Sequence, residues 1–365
     1  MRSLHLLALA SLLGGAAIVG VLAGAQLPAR AQPVAPAPQP DVTSGSPPLA
    51  KLPDGAQPIR AVAAGPNVIV LADPASSTKL TLYTVTPSGA VTARALPIEG
   101  GGLWAGLARD DEGTIWVGAL SSVLALAPDG TTRRIDLPQP AALLPAPYAG
   151  PQTPFGPIES GQITALGVLG ERVYVGRAGA PELTSIDRNS GAVMRIELPA
   201  GTGDVSDIVP GVGGELLFTV NHSARTPGVL NDTLGHITGS GAVRVDARPV
   251  RSVGSNGQRI SVGSAELSLE EPGRTPLART AGTSYDLSIV ALRSDDTTAV
   301  RVAGDHALAL IKNGAELKRS VYQVPIGKDR ANIARPYNGR LAFLVPLPDG
   351  LYFALQGLPN VYRAE

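Results

Sequence analysis

The chain has no cysteine among its 365 residues. This absence excludes disulfide bonds, thiolate metal sites, iron–sulfur clusters and a cysteine nucleophile. Charged residues are scarce as well, at 16%, against about a quarter of an ordinary soluble chain. Thirty Lys and Arg balance thirty Asp and Glu. The protein therefore has no net charge that would attract nucleic acid or an anionic membrane, and no nucleic-acid partner is expected.

Two common site motifs are also missing. The sequence contains neither a G-x-x-x-x-G-K-[ST] phosphate-binding loop nor a G-x-S-x-G serine elbow. Histidine, the side chain that most often acts as a base near neutral pH, occurs only four times. The sequence therefore identifies no catalytic site and offers only single candidate residues.

Glycine and proline, in contrast, are abundant, with 43 and 33 residues. This composition favours many short strands joined by tight turns over helices. Apolar residues make up 44% of the chain, which is enough to build a sizeable core. A single all-β domain can reach this length.

The N-terminus has the pattern of an export signal. Arg2 precedes an uncharged, mostly apolar stretch over residues 4–25, and Ala29-Arg30-Ala31 has the A-x-A form found before a cleavage site. We predict a signal peptide over residues 1–31, cleaved after Ala31, and hence a secreted, periplasmic or cell-envelope protein. Because the apolar stretch is about as long as a membrane span, an uncleaved membrane anchor is the alternative.

The next segment, residues 32–48, is rich in proline and alanine. Such a composition cannot pack a core, so we predict a disordered linker there. The folded domain is expected over residues 49–365.

A repeat within that domain predicts its fold. Ser-Gly-Ala-Val occurs at residues 88–91, 190–193 and 240–243. The Ser-Gly pair suits a tight hairpin, because glycine accepts a positive φ without strain. A proline follows each copy about six residues later and is expected to end the outer strand of its repeat. These prolines are Pro97, Pro199 and Pro249.

A second element precedes the first in each repeat. A glycine turn leads into a short β-branched or aromatic strand, and a second glycine is expected to end it, at residues 113–118, 170–176 and 257–263. The period is near forty residues, which is typical of a β-propeller blade. The blades are expected at residues 60–97, 103–138, 161–199, 204–249, 250–283, 286–325 and 331–365.

The repeats therefore predict a single all-β propeller of about seven four-stranded blades. Six blades are the alternative, because the fifth and seventh repeats are degenerate. The last repeat lacks a clear fourth strand, and Leu52-Pro53 resembles the end of other repeats. We expect an N-terminal strand to complete the last blade and close the ring.

Two of these repeats resemble known families. DDEGTIWVG and LALAPDGTTRRIDLP in the second repeat, with GERVYVG and LTSIDRNSGAVMRIELP in the third, resemble the repeats of streptogramin-lyase-like, NHL-like and YVTN-type β-propellers. The resemblance covers most of residues 55–365 and implies the propeller fold. Streptogramin lyases use His and Glu side chains with a divalent metal at the central channel. That His/Glu pattern matches no residues of this chain.

Two insertions interrupt the repeats. Residues 139–160 carry Tyr148 and Phe155, and residues 221–239 carry two of the four histidines. Repeat proteins tend to place such insertions on one face, which is often the binding face. Tyr148 and Phe155 are therefore candidate ligand-binding residues.

The second insertion holds the catalytic candidates. His222 and His236 share it with Arg225 and Asp232, two further candidates for ligand binding. Their spacing matches no standard metal motif, so no metal site and no cofactor are identified, and ordinary loop polar residues are the alternative. His306, in GDHALAL, is expected to be a turn residue.

Clustered carboxylates are interpreted as turn residues. Asp110-Asp111-Glu112 and Asp295-Asp296 precede predicted strands. Calcium binding is the alternative, since calcium takes six to eight oxygen ligands, but aspartate is also a favoured turn residue. Trp104 and Trp116 are expected in the core.

Two functions remain open. The first is a binding module, expected to be a monomer, for a protein, small molecule or glycan outside the cytoplasm. The second is a lyase or hydrolase at the mouth of the central channel, which would require ionisable side chains that converge there and which could use a divalent metal.

Overall fold

In the computed structural model, the described residues are 41–100, 104–143, 160–211, 213–221, 233–253, 259–262, 267–270, 285–292, 298–302, 307–312, 315–322, 341–355 and 357–364. They form strands and one short 3-10 helix, Pro53–Gly55. Across these ranges there is no helix long and apolar enough to span a membrane. The predicted signal peptide lies outside them.

Four consecutive groups of strands are antiparallel and follow chain order. The first blade contains β3 (Gln57–Ala64), β4 (Asn67–Asp73), β5 (Lys79–Val85) and β6 (Val91–Glu99). The second contains β7 (Gly106–Arg109), β8 (Ile115–Ala119), β9 (Ser122–Leu126) and β10 (Thr132–Asp136). The third contains β11 (Ile163–Leu169), β12 (Arg172–Arg177), β13 (Glu182–Asp187) and β14 (Val193–Glu197). The fourth contains β15 (Asp204–Pro210), β16 (Leu216–Asn221), β17 (Thr233–Ile237) and β18 (Val243–Val253).

The remaining strands come from both ends of the domain. Two strands precede the first blade, β1 (Asp41–Ser46) and β2 (Ala50–Lys51). Six follow the fourth blade, namely β19 (Arg259–Val262), β20 (Leu267–Glu270), β21 (Tyr285–Leu292), β22 (Thr298–Val302), β23 (Ala307–Lys312) and β24 (Ala315–Tyr322). The last three are β25 (Leu341–Leu347), β26 (Gly350–Leu355) and β27 (Asn360–Ala364). The closing blade is β2-β27-β26-β25.

The structure is an all-β propeller, but it does not show about seven four-stranded blades: its described strands form six sheets, one of them six-stranded. The prediction of seven blades fails in part because Pro249 does not end its strand. β18 continues through Pro249, pairs with β17 on one side of it and with β19 on the other, and so merges the expected fifth blade into a six-stranded sheet. At this change of partner, the missing N–H of proline is tolerated.

The predicted disordered linker also differs from the structure over part of its length. Asp41–Ser46 form β1, which pairs in parallel with β24 and makes the β21–β24 sheet five-stranded. Residues 32–40 lie outside the described residues.

The N-terminal segment completes the closing blade, as predicted. Ala50 pairs with Val361 in β27, and the N–H of Leu52 donates to the carbonyl of Pro359 at 2.7 Å. Ala50 and Leu52 belong to one buried cluster that joins the first blade to the closing blade. Arg363 adds a side-chain hydrogen bond to the carbonyl of Pro87 at 3.1 Å. The two ends of the domain therefore pack against each other.

Successive blades pack face to face through apolar clusters. One cluster joins the first and second blades, another joins the second and third, and a third joins the third and fourth. The first strands of neighbouring blades also contact each other, in the order β21, β25, β3, β7, β11, β15. These first strands form the inner wall of the ring, around the central channel that such folds have.

Alternation of strand direction defines two faces of the ring. We call the face on which the first strands begin the upper face, and the opposite one the lower face. The second strands end at the upper face and the third strands begin there. The chain leaves the described residues at Leu143 and Asn221 and returns at Ser160 and Thr233, so both insertion points are at the upper face.

The Ser-Gly repeats form the predicted hairpin turns on the lower face. In the first blade, the N–H of Gly89 donates to the carbonyl of Thr86 at 2.9 Å, and the Thr86 hydroxyl accepts from Ala90 N–H at 3.1 Å. Thr238 repeats both bonds in the fourth blade. Gly89 and Gly241 have φ values of 83° and 81°, which explains the glycine.

The second glycine of the other repeated element has a different role from the one predicted. Gly118 and Gly176 lie inside β8 and β12 rather than at their ends. A Cβ on Gly118 would lie 2.8 Å from Ile163, and one on Gly176 would lie 2.9 Å from Val205. Each glycine therefore leaves room for the first strand of the next blade.

Candidate functional site

Two opposite charges occupy equivalent positions on the inner wall of the ring. Arg60 and Asp207 are each the fourth residue of a first strand, β3 and β15. In both strands the register shifts just before that residue, after Pro58 in β3 and after Val205 in β15. Bulges of this kind redirect side chains and are common beside functional sites. The two charges therefore share one level of the ring.

Apolar residues occupy the same position in two other first strands. β11 and β25 have matching register shifts, and the residues that follow them are Ala165 and Phe343, both buried. The equivalent positions of these four strands thus hold one cation, one anion and two apolar residues.

Neither charge at this level has a partner of opposite sign within ion-pair distance among the described side chains. Both side chains are half-buried. One oxygen of Asp207 accepts a hydrogen bond from the N–H of Ile208 at 3.1 Å. Burial raises the pKa of the Asp207 carboxyl above its ordinary value, against the opposing effects of the Arg60 guanidinium and the Ile208 N–H. The two groups therefore influence each other electrostatically without forming an ion pair.

Buried polar atoms lie at the upper ends of neighbouring first strands. Gln57 begins β3, and Trp104 stands two residues before β7. The side-chain oxygen of Gln57 and the indole N–H of Trp104 are buried and have no hydrogen-bond partner in the described part of the chain. Buried polar groups are almost always paired, with protein, water or a ligand. One unpaired acceptor and one unpaired donor thus lie near the upper mouth of the channel.

A buried ion pair anchors the start of the first insertion at this face. Arg177 and Glu182, with side chains 2% and 4% exposed, approach to 3.1 Å. Arg177 donates to the carbonyl of Pro138 at 2.6 Å, and Glu182 accepts from the N–H of Ala141 at 3.2 Å. Arg195 adds a bond to Gln139 and a contact with Glu182. These bonds fix the chain as it enters the insertion.

On the lower face, the carboxylate cluster is an ion-pair site between blades. Arg188 of the third blade lies 3.0 Å from Asp110, 3.1 Å from Asp111 and 3.2 Å from Glu112. Asp110 also accepts from the indole N–H of Trp116 at 2.9 Å. Asp110 and its neighbours border a cleft of about 210 Å³ between the two blades. Since a guanidinium already pairs with all three carboxylates, the turn interpretation is favoured over calcium.

His236 lies away from the inner wall. It is in β17, the third strand of its blade, opposite Leu217. Its ring nitrogens Nδ1 and Nε2 lie 3.2 Å from carboxylate oxygens of Glu215 and Asp246. Asn221, the last described residue before the second insertion, is four residues from Leu217, or about 13 Å along the strand. His236 is thus a buried strand residue near the lower face.

Several predicted candidates lie outside the described residues. They are Tyr148, Phe155, His222, Arg225, Asp232, His306, Asp295 and Asp296. Their roles stay predictions. Among the side chains that the structure describes, no three His, Asp or Glu residues come together as a metal site. The metal that the resemblance implies therefore has no described ligand set, and no reaction step is assigned to it.

Trp116 confirms the expected core position, with 2% exposure, whereas Trp104 is only half-buried. Sequence reasoning missed Arg60 and Asp207. The signal was present, since each is a charge inside a largely apolar stretch, PIRAVAA and VSDIV.

No protein-family model and no curated protein matches the sequence. Several solved structures share its fold. Virginiamycin B lyase from Staphylococcus aureus, with quinupristin, aligns at a TM-score of 0.57 and 14% identity over 85% of this chain and 94% of the lyase. Hydrazine synthase from Kuenenia stuttgartiensis aligns at 0.55 and 13% identity, over 86% and 96%. A chain of a mitotic checkpoint complex aligns at 0.57 and 11%, over 94% and 99%.

These identities are low, so the alignments establish the fold alone. The repeat-level resemblance to streptogramin-lyase-like β-propellers is confirmed to that extent: this chain has the β-propeller fold that such lyases have.

Proposed function

We propose that this protein is an exported binding propeller that takes a small ligand outside the cytoplasm at the upper mouth of its central channel. The observation that carries the proposal is the pair of half-buried charges Arg60 and Asp207, which share one level of the inner wall and make no ion pair with a described side chain. Ligand sites combine apolar walls with a few convergent polar groups, and the described part of this wall has that composition.

The unpaired atoms of Gln57 and Trp104 support the same location. A ligand or water at the mouth would satisfy both, and an unpaired buried polar group otherwise costs about 1–3 kcal/mol. The fixed start of the first insertion gives this face a defined edge, because Arg177 and Glu182 bind residues 138–141.

The two tryptophans provide the test, since the chain contains no others. Trp104 is near the upper mouth, and Trp116 is bonded to Asp110 near the lower face. Two full-chain variants, Trp116→Phe and Trp104→Phe, leave one tryptophan each, which can be excited selectively over the tyrosines, and serve as matched controls. We expect compounds from a metabolite library to change the emission of Trp104 and not that of Trp116. Compounds that affect only Trp116, or neither tryptophan, would contradict the proposal.

Export is the second part of the proposal, and the N-terminal sequence supports it. Mass spectrometry of the protein from the extracytoplasmic fraction is expected to find a chain that begins at Gln32. Retention of Met1, in a protein that stays with the membrane fraction, would replace cleavage by anchoring through residues 4–25.

A lyase or hydrolase at the channel mouth is the second candidate function. Asp207 favours it, because burial raises the pKa of its carboxyl and perturbed carboxyls often serve as acids or bases. The fold shared with virginiamycin B lyase gives a first substrate to try, the quinupristin named with that structure. Mass spectrometry should then detect a product with the wild type and none with Asp207→Asn. An unchanged substrate would leave the binding function as the better proposal.

A further inference from the structure

Arg60 and Asp207 also indicate the class of ligand. They lie on first strands of the first and fourth blades, at equivalent positions, and so face the channel from different sides. The Arg60 guanidinium acts on Asp207 electrostatically, yet the two side chains form no ion pair with each other or with other described side chains. A guanidinium and a carboxylate left apart in this way form two separate half-sites of opposite charge.

Each half-site has a defined chemical preference. A guanidinium presents several N–H donors in a planar fork and binds carboxylates in a bidentate manner. A carboxylate accepts hydrogen bonds only and favours a protonated amine. A ligand with one of these charges would leave the other residue unpaired and partly desolvated, which costs free energy. The preferred ligand therefore carries both.

On this basis, and resting on the proposed function, we infer that the central channel binds a small zwitterion of the amino-acid or short-peptide class, its carboxylate on Arg60 and its ammonium group on Asp207. No bond forms or breaks in this step. The apolar equivalents Ala165 and Phe343 add no competing charge at this level of the four strands compared.

Four related probes test the inference by calorimetry on the full chain. L-alanine and L-alanyl-L-alanine are zwitterions with different charge separations, N-acetyl-L-alanine is only an anion, and L-alanine amide is only a cation. We expect at least one zwitterion to bind, and both single-charge probes to bind at least tenfold more weakly. High salt should weaken the binding of the zwitterion.

Two variants that each remove one charge assign the half-sites. Arg60→Gln should weaken the zwitterion and N-acetyl-L-alanine at least tenfold and leave L-alanine amide unchanged. Asp207→Asn should weaken the zwitterion and L-alanine amide at least tenfold and leave N-acetyl-L-alanine unchanged. Circular dichroism checks that both variants fold, and neither substitution removes a described ion pair. Equal affinity of the anion and the zwitterion, or no effect of Asp207→Asn, would overturn the inference.

Failure here can be told apart from failure of the proposed function. If no zwitterion binds but other compounds change Trp104 emission, the ligand class is wrong and the binding site stands. If no compound reaches Trp104, both are wrong.

Discussion

Arg188 and Arg60 represent two opposite ways of using an arginine in one fold. Arg188 is 7% exposed and contacts three carboxylates across the boundary between the second and third blades. Arg60 is half-buried on the inner wall and makes no ion pair with a described side chain. The Arg188 guanidinium joins two blades through its carboxylate partners, whereas the Arg60 guanidinium has no carboxylate partner among the described side chains. A charge without an ion-pair partner among the described side chains, rather than charge as such, therefore distinguishes the proposed site from the scaffold.

Removing Arg188 should give the largest effect. Arg188→Met leaves Asp110, whose side chain is 1% exposed, without its cation, so we expect a loss of about 3 kcal/mol in the free energy of unfolding. Urea denaturation measures this loss. Arg134→Met is the matched control, since Arg134 and Asp136 are 55% and 70% exposed, and should cost less than about 1 kcal/mol. Equal losses for both variants would show that the buried Arg188 contacts stabilise the fold no more than an exposed ion pair does.

The packing of neighbouring blades is expected to be the next most sensitive feature. Gly176→Ala places a Cβ 2.9 Å from the Val205 carbonyl oxygen, where only a backbone shift relieves the overlap. We expect a loss of about 2 kcal/mol, measured by the same denaturation. Gly239→Ala, whose nearest neighbour would lie at 3.5 Å, should change stability little. A neutral Gly176→Ala would show that the blades can separate at no cost.

Removing the charge of Asp207 should stabilise the protein, whereas removing that of Arg188 should destabilise it. The pKa of Asp207 is raised in the folded state, so the protonated carboxyl contributes to the free energy of unfolding. That contribution is full below the ordinary aspartate pKa of about 3.9 and is lost as pH rises through the folded-state pKa. At neutral pH, Asp207→Asn should therefore stabilise the protein, by about 1 kcal/mol. The gain should shrink on acidification. A loss of stability at pH 7 would mean that the carboxylate is already paired.

The smallest effect is expected for Arg60. Because Arg60→Gln breaks no described ion pair, its free energy of unfolding should stay within about 0.5 kcal/mol of wild type. Thermal melts without ligand are the measurement, and the zwitterion experiment then shows the loss of binding in the same sample. A strongly destabilised Arg60→Gln would show that Arg60, like Arg188, stabilises the fold rather than being free to bind a ligand.

Local signals in the sequence predicted the fold better than the site. The Ser-Gly-Ala-Val turns appear where expected, because each depends on a few adjacent residues such as Thr86 and Gly89. The blade count failed where a local signal was overruled. Pro249 was expected to end a strand, but it lies where β18 changes partner, a feature that depends on a sheet formed by residues far along the chain.

The site was beyond sequence reasoning for a related reason. Arg60 and Asp207 belong to no motif and are brought to one level by two bulges and by the packing of four blades. Histidine chemistry directed attention to His236, which the structure places between Glu215 and Asp246 in a third strand. A charge inside an apolar first strand is the sequence signal that points to this candidate site.

The pairing of β2 with β27 has a consequence for the order of folding. Residues 50 and 361 are almost the whole domain apart, and contacts between such distant residues form slowly. The first three blades can pack while the chain is still being made, but the ring cannot close until β27 has been synthesised. Loss of residues 360–364 would leave the edges of β2 and β26 open, and exposed edges of that kind template aggregation. Pairing of β27 with β2 is therefore the last step in folding, and it protects both strand edges.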